Sequence, residues 1–259
     1  MSGTDTERVD WLTAAAIGLI AMCVVTCDHE ALGHGSACLL LGGRIQTLTS
    51  SIFRCDVRSG WIDPAGPVVN LLAGTLALIL FRLVPARFAG MKFFFVAVTA
   101  MSFFWEGAYT PYAMARQSGD LYFFAQFIFQ EVSPIVRVAF AAGGVALYIF
   151  AVRWTSRALL ELWSNPAIAR PIARAIWIAA TLGAGLAALV YRGEAQGDLR
   201  DAVLEIGVAS LPLLFIPSGR TMEVAGRSAP LPRSYVTIAI AVIVFALFAA
   251  TLGRGVSMT

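Results

Sequence analysis

The stretch of sequence that decides the fold is Cys27-Asp28-His29-Glu30-Ala31-Leu32-Gly33-His34-Gly35. It interrupts an otherwise apolar run that extends from Trp11 to Gly43, and it contains both histidines of the chain. The run is longer than the roughly 20 residues that one straight membrane crossing needs. Because ionisable groups at membrane depth are costly, they are usually retained for function. The stretch therefore predicts both the first membrane helix and the functional site.

The overall composition indicates a polytopic membrane protein. Of the 259 residues, 58% are hydrophobic and 14% are charged, whereas about a quarter are charged in an ordinary soluble domain. The mean hydropathy is +0.76. These values exclude a soluble globular protein. The net charge of +3 is spread thinly between apolar runs, so we expect no nucleic-acid partner.

Uncharged runs along the chain predict an all-α fold with about six or seven transmembrane helices. After the first run, which includes the polar stretch, they are Pro64–Phe81, Phe93–Trp105 with a continuation to Ala115, Val138–Val152, Ala175–Tyr191, Ile206–Gly219 and Ser234–Gly253. Two further segments are predicted as membrane-surface pieces: Leu121–Phe129 as a short re-entrant or interfacial segment and Trp154–Arg174 as a surface helix with snorkelling arginines. The Arg and Lys distribution favours an N-terminus inside.

The polar stretch carries the elements of a zinc site with unusual spacing. In His-Glu-x-x-His helices two imidazoles bind zinc and the carboxylate acts as general base. His29 and His34 are five positions apart, which is about 140° around a regular α-helix. A π-bulge, eased by Gly33 and Gly35, would bring both to one face. Alternatively, the helix is regular, and Glu30 and His34 are the ligands.

Two other interpretations of this stretch remain open. On a regular helix one face carries a set that suits a thiolate site for zinc or copper: Cys23, Cys27, Glu30, His34 and Cys38. The polar groups can also be structural, packing around a hydrogen bond between helices. With Cys55 the chain has four cysteines, too few for a disulfide framework, and a single Cys38–Cys55 bridge stays open.

In three places the sequence resembles the site-2 protease family of intramembrane zinc metalloproteases. His29 through Gly42-Gly43-Arg44 looks like the family's His-Glu-x-Gly-His helix with one residue inserted at Gly33. It runs into a Gly-Gly-Arg turn and a β-hairpin, here Gly43–Ile62. Asp63-Pro64-Ala65-Gly66-Pro67-Val68-Val69-Asn70 is similar to its Ala-Gly-Pro-x-x-Asn element. The region from Glu106-Gly107-Ala108-Tyr109 through Gln117-Ser118-Gly119-Asp120 is similar to its Gly-Asp segment. The matches cover about Trp11–Phe124.

The resemblance implies a set of site residues. Zn²⁺ would be bound by His29, His34 and Asp120, with Glu106 as the alternative third ligand and a fourth position open for water. Glu30 would be the catalytic base, and Asn70 would hydrogen-bond the substrate carbonyl. Residues 1–130 would form a metalloprotease-like membrane core. Residues 131–259 would add transmembrane helices without an assigned role.

The expected function is an intramembrane zinc-dependent peptidase that cleaves a membrane-embedded or membrane-proximal bond of a membrane protein, in the lipid bilayer of a bacterial inner membrane. The hairpin would offer an edge to an unwound substrate strand. One alternative is a catalytically inactive pseudoprotease of the same fold that binds a membrane partner or a metal. A second is an unrelated membrane binding or transport protein.

Overall fold

The computed structural model describes residues 9–191, 193, 195–217 and 230–257. These residues are mainly helical, with one small sheet. Within them, five helices are long and apolar enough to cross a membrane: Trp11–Leu40, Ala65–Leu83, Pro134–Leu162, Pro166–Val190 and Tyr235–Gly253. The predicted all-α architecture is therefore found, with fewer candidate spans than the six or seven expected.

The first helix, Trp11–Leu40, is continuous but changes its winding at the polar stretch. Its α-helical part α1 covers Trp11–Thr26, a π-helical segment covers Cys27–Gly35, and α2 covers Ser36–Leu40. The carboxylate of Asp10 caps the start of α1 by accepting a hydrogen bond from the Thr13 backbone N–H at 2.8 Å. The predicted π-bulge is confirmed, since the widened turns absorb the extra residue of the motif.

A β-hairpin follows the first helix, as predicted. Strands β1 (Ile45–Leu48) and β2 (Phe53–Cys55) pair antiparallel. A disulfide between Cys38 and Cys55 ties β2 to α2. Because its sulfur is in a disulfide, Cys38 is not a free thiolate. It therefore cannot contribute to the thiolate metal site that a regular helix would have allowed.

The hairpin is also fastened from the C-terminal part of the chain. The backbone groups of Leu48 and Val256 exchange two hydrogen bonds of 2.9 Å, so Val256 occupies part of the outer edge of β1. At the tip, the Thr49 and Ser51 hydroxyls each donate to Asp198 Oδ1 at 2.7 Å. The hairpin is thereby held in place from three sides.

The helix α4 (Ala89–Arg116) is the centre of the bundle. It packs against α3 (Ala65–Leu83) and α6 (Pro134–Leu162), and the helix α7 (Pro166–Val190) packs along α1. Many side chains of α4 are fully or almost fully buried, including Phe93, Phe104 and Trp105. From this position Trp105 and Glu106 contact His29 of the π-helical segment, against which α3 packs. The short helix α5 (Asp120–Phe129) follows α4, where a short apolar segment was predicted.

The structures predicted for two segments are wrong. Trp154–Arg174 is not one surface helix, because α6 continues to Leu162 and α7 begins at Pro166. Asn165 caps α7 by accepting from the Ala167 N–H at 2.9 Å, and a proline at the first position suits a helix start.

Ile206–Gly219 is not a spanning helix either. The chain there forms α8 (Ala195–Ala202), a π-helical segment Val203–Val208 and a 3₁₀ turn Leu211–Leu214; residues 218 and 219 lie outside the described residues. Pro212 and Pro217 lack the N–H that a continuous helix requires. The last predicted run does form a helix, α9 (Tyr235–Phe248), extended by a π-helical end, Ala249–Gly253.

Candidate metal centre

Three side chains meet at one point between the first helix and the start of α5. The Nε2 atoms of His29 and His34 lie 3.2 Å apart. Asp120 Oδ2 lies 3.3 Å from His29 Nε2 and 3.5 Å from His34 Nε2. Both imidazoles are buried, and one ligand atom from each residue lies within 4.8 Å of the others. The group could therefore hold a metal ion.

The hydrogen bonds behind the imidazoles determine which ring nitrogen faces this point. His34 Nδ1 lies 2.8 Å from the carbonyl oxygen of Ile62. A carbonyl oxygen can only accept, so Nδ1 carries the hydrogen and Nε2 of the neutral ring is left with a lone pair. His29 Nδ1 lies 3.0 Å from Glu106 Oε1, which favours the same tautomer. Two lone pairs that face each other at this distance repel unless a cation lies between them.

Glycine at position 66 makes room for the two rings. Gly66 lies in the first turn of α3, and a Cβ atom there would be 2.3 Å from His34 Nε2 and 2.7 Å from His29 Nε2. Both distances are too short for any side chain. The Ala-Gly-Pro element identified in the sequence thus serves as the floor of the candidate centre.

A turn that requires glycine positions Asp120 at the candidate centre. Gly119 has φ of +105°, a backbone conformation that other residues rarely adopt. Burial alone would raise the pKa of the Asp120 carboxyl, but without a metal ion the His34 and His29 imidazoles, in their protonated form, lower this pKa below its ordinary value. Asp120 is thus ionised at neutral pH, which is the form that binds metal.

Glu106 and Asn70 form a layer behind His29. Glu106 Oε1 is within hydrogen-bond distance of His29 Nδ1 and accepts from Asn70 Nδ2 at 2.8 Å. Glu106 thus lies on the far side of the His29 ring from Asp120, so Asp120 and not Glu106 joins the two histidines at the candidate centre. Asn70 is fully buried and links α3 to α4. Its predicted contact with a substrate stays a prediction.

Glu30 points into a cavity beside the candidate centre. The cavity has a volume of about 480 Å³, and His29, His34 and Asp120 also line it. Glu30 is only 4% exposed, and its carboxylate has no hydrogen-bond partner among the described residues. A buried carboxylate without a partner, next to a possible metal site, is suited to accept a proton from a reacting group.

Three acidic residues that the sequence analysis did not single out as site residues also line this cavity: Asp63, Asp201 and Glu205. Burial raises the pKa of Asp63 to about 6 and the pKa of Glu205 well above its ordinary value. A signal for the last two was present: Asp198, Asp201 and Glu205 are spaced three and four positions apart, as on one face of a helix. We find that face directed toward the hairpin and the cavity.

Comparison with known proteins identifies no relative of this chain. No protein-family model, no curated protein and no solved structure matches the chain significantly. The interpretation of the candidate centre therefore rests on its geometry and on the chemistry of its donor atoms.

Proposed function

We propose that the protein is a zinc-dependent peptidase of the site-2 protease type, which cleaves a peptide bond of a membrane protein. The observation that carries this proposal is the convergence of His29, His34 and Asp120 beside the unpartnered Glu30. Two neutral imidazoles and one carboxylate form a donor set found at catalytic zinc, where a fourth position stays open.

The residues around the zinc site have separate roles in the proposed hydrolysis. When bound, zinc supplies the Lewis acidity that makes a water molecule reactive at neutral pH. The Glu30 carboxylate takes the proton from the attacking water and passes it to the leaving amine nitrogen. Glu106 and the Ile62 carbonyl hold the two imidazoles in the orientation that presents Nε2.

The outer surface supports a bilayer as the environment of this site. On α3, Leu72, Leu76 and Ile79 are 64%, 57% and 47% exposed. They recur at the spacing of one helix face, and Leu182, Leu186 and Leu189 form a similar stripe on α7. Stripes of this kind on several long apolar helices favour contact with lipid. We therefore place the protein in a membrane; that this is a bacterial inner membrane with the N-terminus inside stays a prediction.

A groove between β2 and α5 would admit an extended substrate segment. It has a volume of about 570 Å³ and is lined by Phe53, Phe123 and Phe127, with Asp63 where it meets the metal cavity. Since Val256 occupies part of the outer edge of β1, the substrate strand would lie along β2. An extended strand exposes the backbone carbonyl that a helix shields.

Metal analysis and one reporter assay test the proposal. Protein purified in detergent should hold about one zinc ion per chain, as one site of this donor set predicts. His29→Ala and His34→Ala should each abolish binding, whereas Glu30→Gln should retain zinc and lose cleavage of a transmembrane reporter. Zinc that survives the double histidine substitution would exclude this site. A wild-type protein that holds zinc but cleaves no reporter would instead support the pseudoprotease.

A further inference from the structure

Tyr109 lies beside the candidate centre on α4. It follows Glu106 by three positions, so the two side chains leave neighbouring points on one face of the helix. Glu106 Oε1 lies 3.0 Å from His29 Nδ1, and Tyr109 lines the cavity of about 480 Å³ at the candidate centre. A Cβ atom at Gly119 would be 2.5 Å from the Tyr109 hydroxyl oxygen. The hydroxyl therefore lies next to the turn that positions Asp120.

The Tyr109 hydroxyl has no hydrogen-bond partner within the part of the chain that the structure describes. Two other tyrosine hydroxyls are bonded: that of Tyr112 accepts from Arg200 Nη2 at 2.9 Å, and that of Tyr148 donates to the Ala209 carbonyl at 2.9 Å. A tyrosine hydroxyl that is shielded from water usually finds a partner. It keeps its proton at neutral pH and can donate. The Tyr109 O–H is therefore available to a molecule that enters the cavity.

The other hydroxyl and amide donors near the cavity are engaged or face solvent. Asn70, the donor predicted from the sequence, is not among the residues that line the cavity, and its Nδ2 donates to Glu106 Oε1 at 2.8 Å. The Ser51 hydroxyl donates to a carboxylate at the hairpin tip at 2.7 Å. Ser118 lines the cavity but is exposed to solvent. Among the described hydroxyl and amide side chains of the lining, Tyr109 is thus the partly buried donor without a partner.

We propose that the Tyr109 hydroxyl is a catalytic residue that donates a hydrogen bond to the oxyanion formed during peptide hydrolysis. The inference rests on the proposed peptidase function and adds a residue to its chemistry. Tyr109 and the base Glu30 line the same cavity, so both groups reach a peptide bond that is bound there.

The proposed step leaves the Tyr109 proton in place. When water attacks the scissile carbonyl carbon, the π electron pair of the C=O bond moves to its oxygen, and Glu30 takes a proton from the water. Collapse of this tetrahedral intermediate restores the C=O bond, breaks the C–N bond and returns the proton from Glu30 to the leaving nitrogen. The Tyr109 O–H donates to the oxygen throughout. Because the negative charge exists only on the way to and from the intermediate, this hydrogen bond is strongest there.

Tyr109→Phe removes only the hydroxyl and tests the catalytic role. In detergent the variant should hold as much zinc as the wild type and unfold at a similar temperature. It should cleave a transmembrane reporter with unchanged KM and a kcat lowered about 100-fold, as the loss of one oxyanion donor predicts. Tyr112→Phe is the matched control, because Tyr112 lies on the same helix but does not line this cavity. It should cleave like the wild type, and so should Ser118→Ala.

Binding of a transition-state analogue gives a second measurement. A phosphinic peptide, in which a phosphinate and a methylene group replace the cleaved amide of the reporter segment, carries a negative oxygen where the oxyanion would form. Tyr109→Phe should weaken its binding about tenfold or more, as the loss of a hydrogen bond to a charged group predicts. The same substitution in Glu30→Gln protein should leave the affinity for the uncleaved amide peptide unchanged.

The outcomes separate this role from the proposed function. Wild-type cleavage by Tyr109→Phe would overturn the role and leave the peptidase intact. So would an affinity for the phosphinic peptide that changes no more than the affinity for the amide peptide. Loss of zinc or of thermal stability together with cleavage would show that Tyr109 is structural and would also overturn the role. A zinc-loaded wild type that cleaves no reporter would overturn both proposals.

Discussion

Gly33 of the first helix lies directly against Gly66 of α3. A Cβ atom at Gly33 would be 2.5 Å from the Gly66 Cα and 2.8 Å from the Ala65 carbonyl oxygen. The neighbouring Leu32, by contrast, is 58% exposed. The extra residue of the motif is therefore Leu32, which is turned outward, and the assignment of the insertion to Gly33 is wrong. Gly33 keeps the contact between the two helices under the imidazoles.

Deleting Leu32 should preserve the site. The deletion leaves His-Glu-Ala-Gly-His, which needs no widened turn and keeps glycine next to His34. We expect unchanged zinc content and a similar unfolding temperature in detergent. Deleting Gly33 instead brings Leu32 toward a contact that only glycine fits, with a cost of about 3 kcal/mol or more. If both deletions behaved alike, the assignment of Leu32 as the extra residue would be wrong.

Gly66→Ala should damage the metal centre directly. The new methyl group would displace the His34 ring, since its Cβ would lie 2.3 Å from Nε2. Zinc affinity should fall by about 10- to 100-fold or more, as when ligand orientation is disturbed. A chelator competition titration measures this. Gly143→Ala is the matched control, because nothing lies within 4 Å of a Cβ there; its zinc affinity should equal that of the wild type.

Glu106 should act on the metal through His29. Glu106→Ala removes the acceptor for His29 Nδ1, and we expect zinc affinity to fall about 10- to 100-fold. Glu106→Gln retains an acceptor oxygen and should recover part of the loss. The same chelator titration compares the two variants. An unchanged affinity in Glu106→Ala would show that the packing of Trp105, stacked 4.3 Å from the His29 ring, orients the imidazole by itself.

The cap on the first helix should make stability depend on pH. Burial would raise the pKa of Asp10, but its bonds to the Thr13 N–H and to Arg233 Nε, at 2.9 Å, lower it overall. Its stabilisation is therefore present above the ordinary aspartate pKa of about 3.9 and is lost as the pH falls through the folded value. Asp10→Ala should cost about 1 kcal/mol at pH 7. Thermal unfolding in strong acid should show a much smaller difference, and a gap independent of pH would contradict the ionised cap.

The disulfide should stabilise the hairpin against the first helix. It closes a loop of sequence separation 17, for which chain entropy predicts about 3 kcal/mol. Replacing Cys38 and Cys55 together by Ala should lower the unfolding temperature by the same amount as adding a reductant to the wild type. The reductant should have no effect on that double variant. Replacing the free Cys23 and Cys27 provides the control for thiol chemistry elsewhere.

The sequence by itself determined the features that depend on local interactions. Uncharged runs predicted most of the long helices, because a helix satisfies its own backbone groups wherever it lies. The five-residue spacing of His29 and His34 predicted the π-helical segment, because a widened turn is a local response to one extra residue. The sequence Asn165-Pro166 also carried a local signal for the start of a helix, but hydropathy alone does not detect it.

Only the tertiary structure decided which distant residues complete the site. Asp120 meets His29 across 91 positions of sequence and Glu106 meets it across 77, so neither contact follows from periodicity. An isolated acidic residue has the same local signature whether it binds a metal, caps a helix or orients a histidine. Its role is set by which helices pack together. Here α3 packs against the π-helical segment, Glu106 of α4 reaches His29, and Asp201 and Glu205 reach the cavity from α8 and the π-helical turns after it.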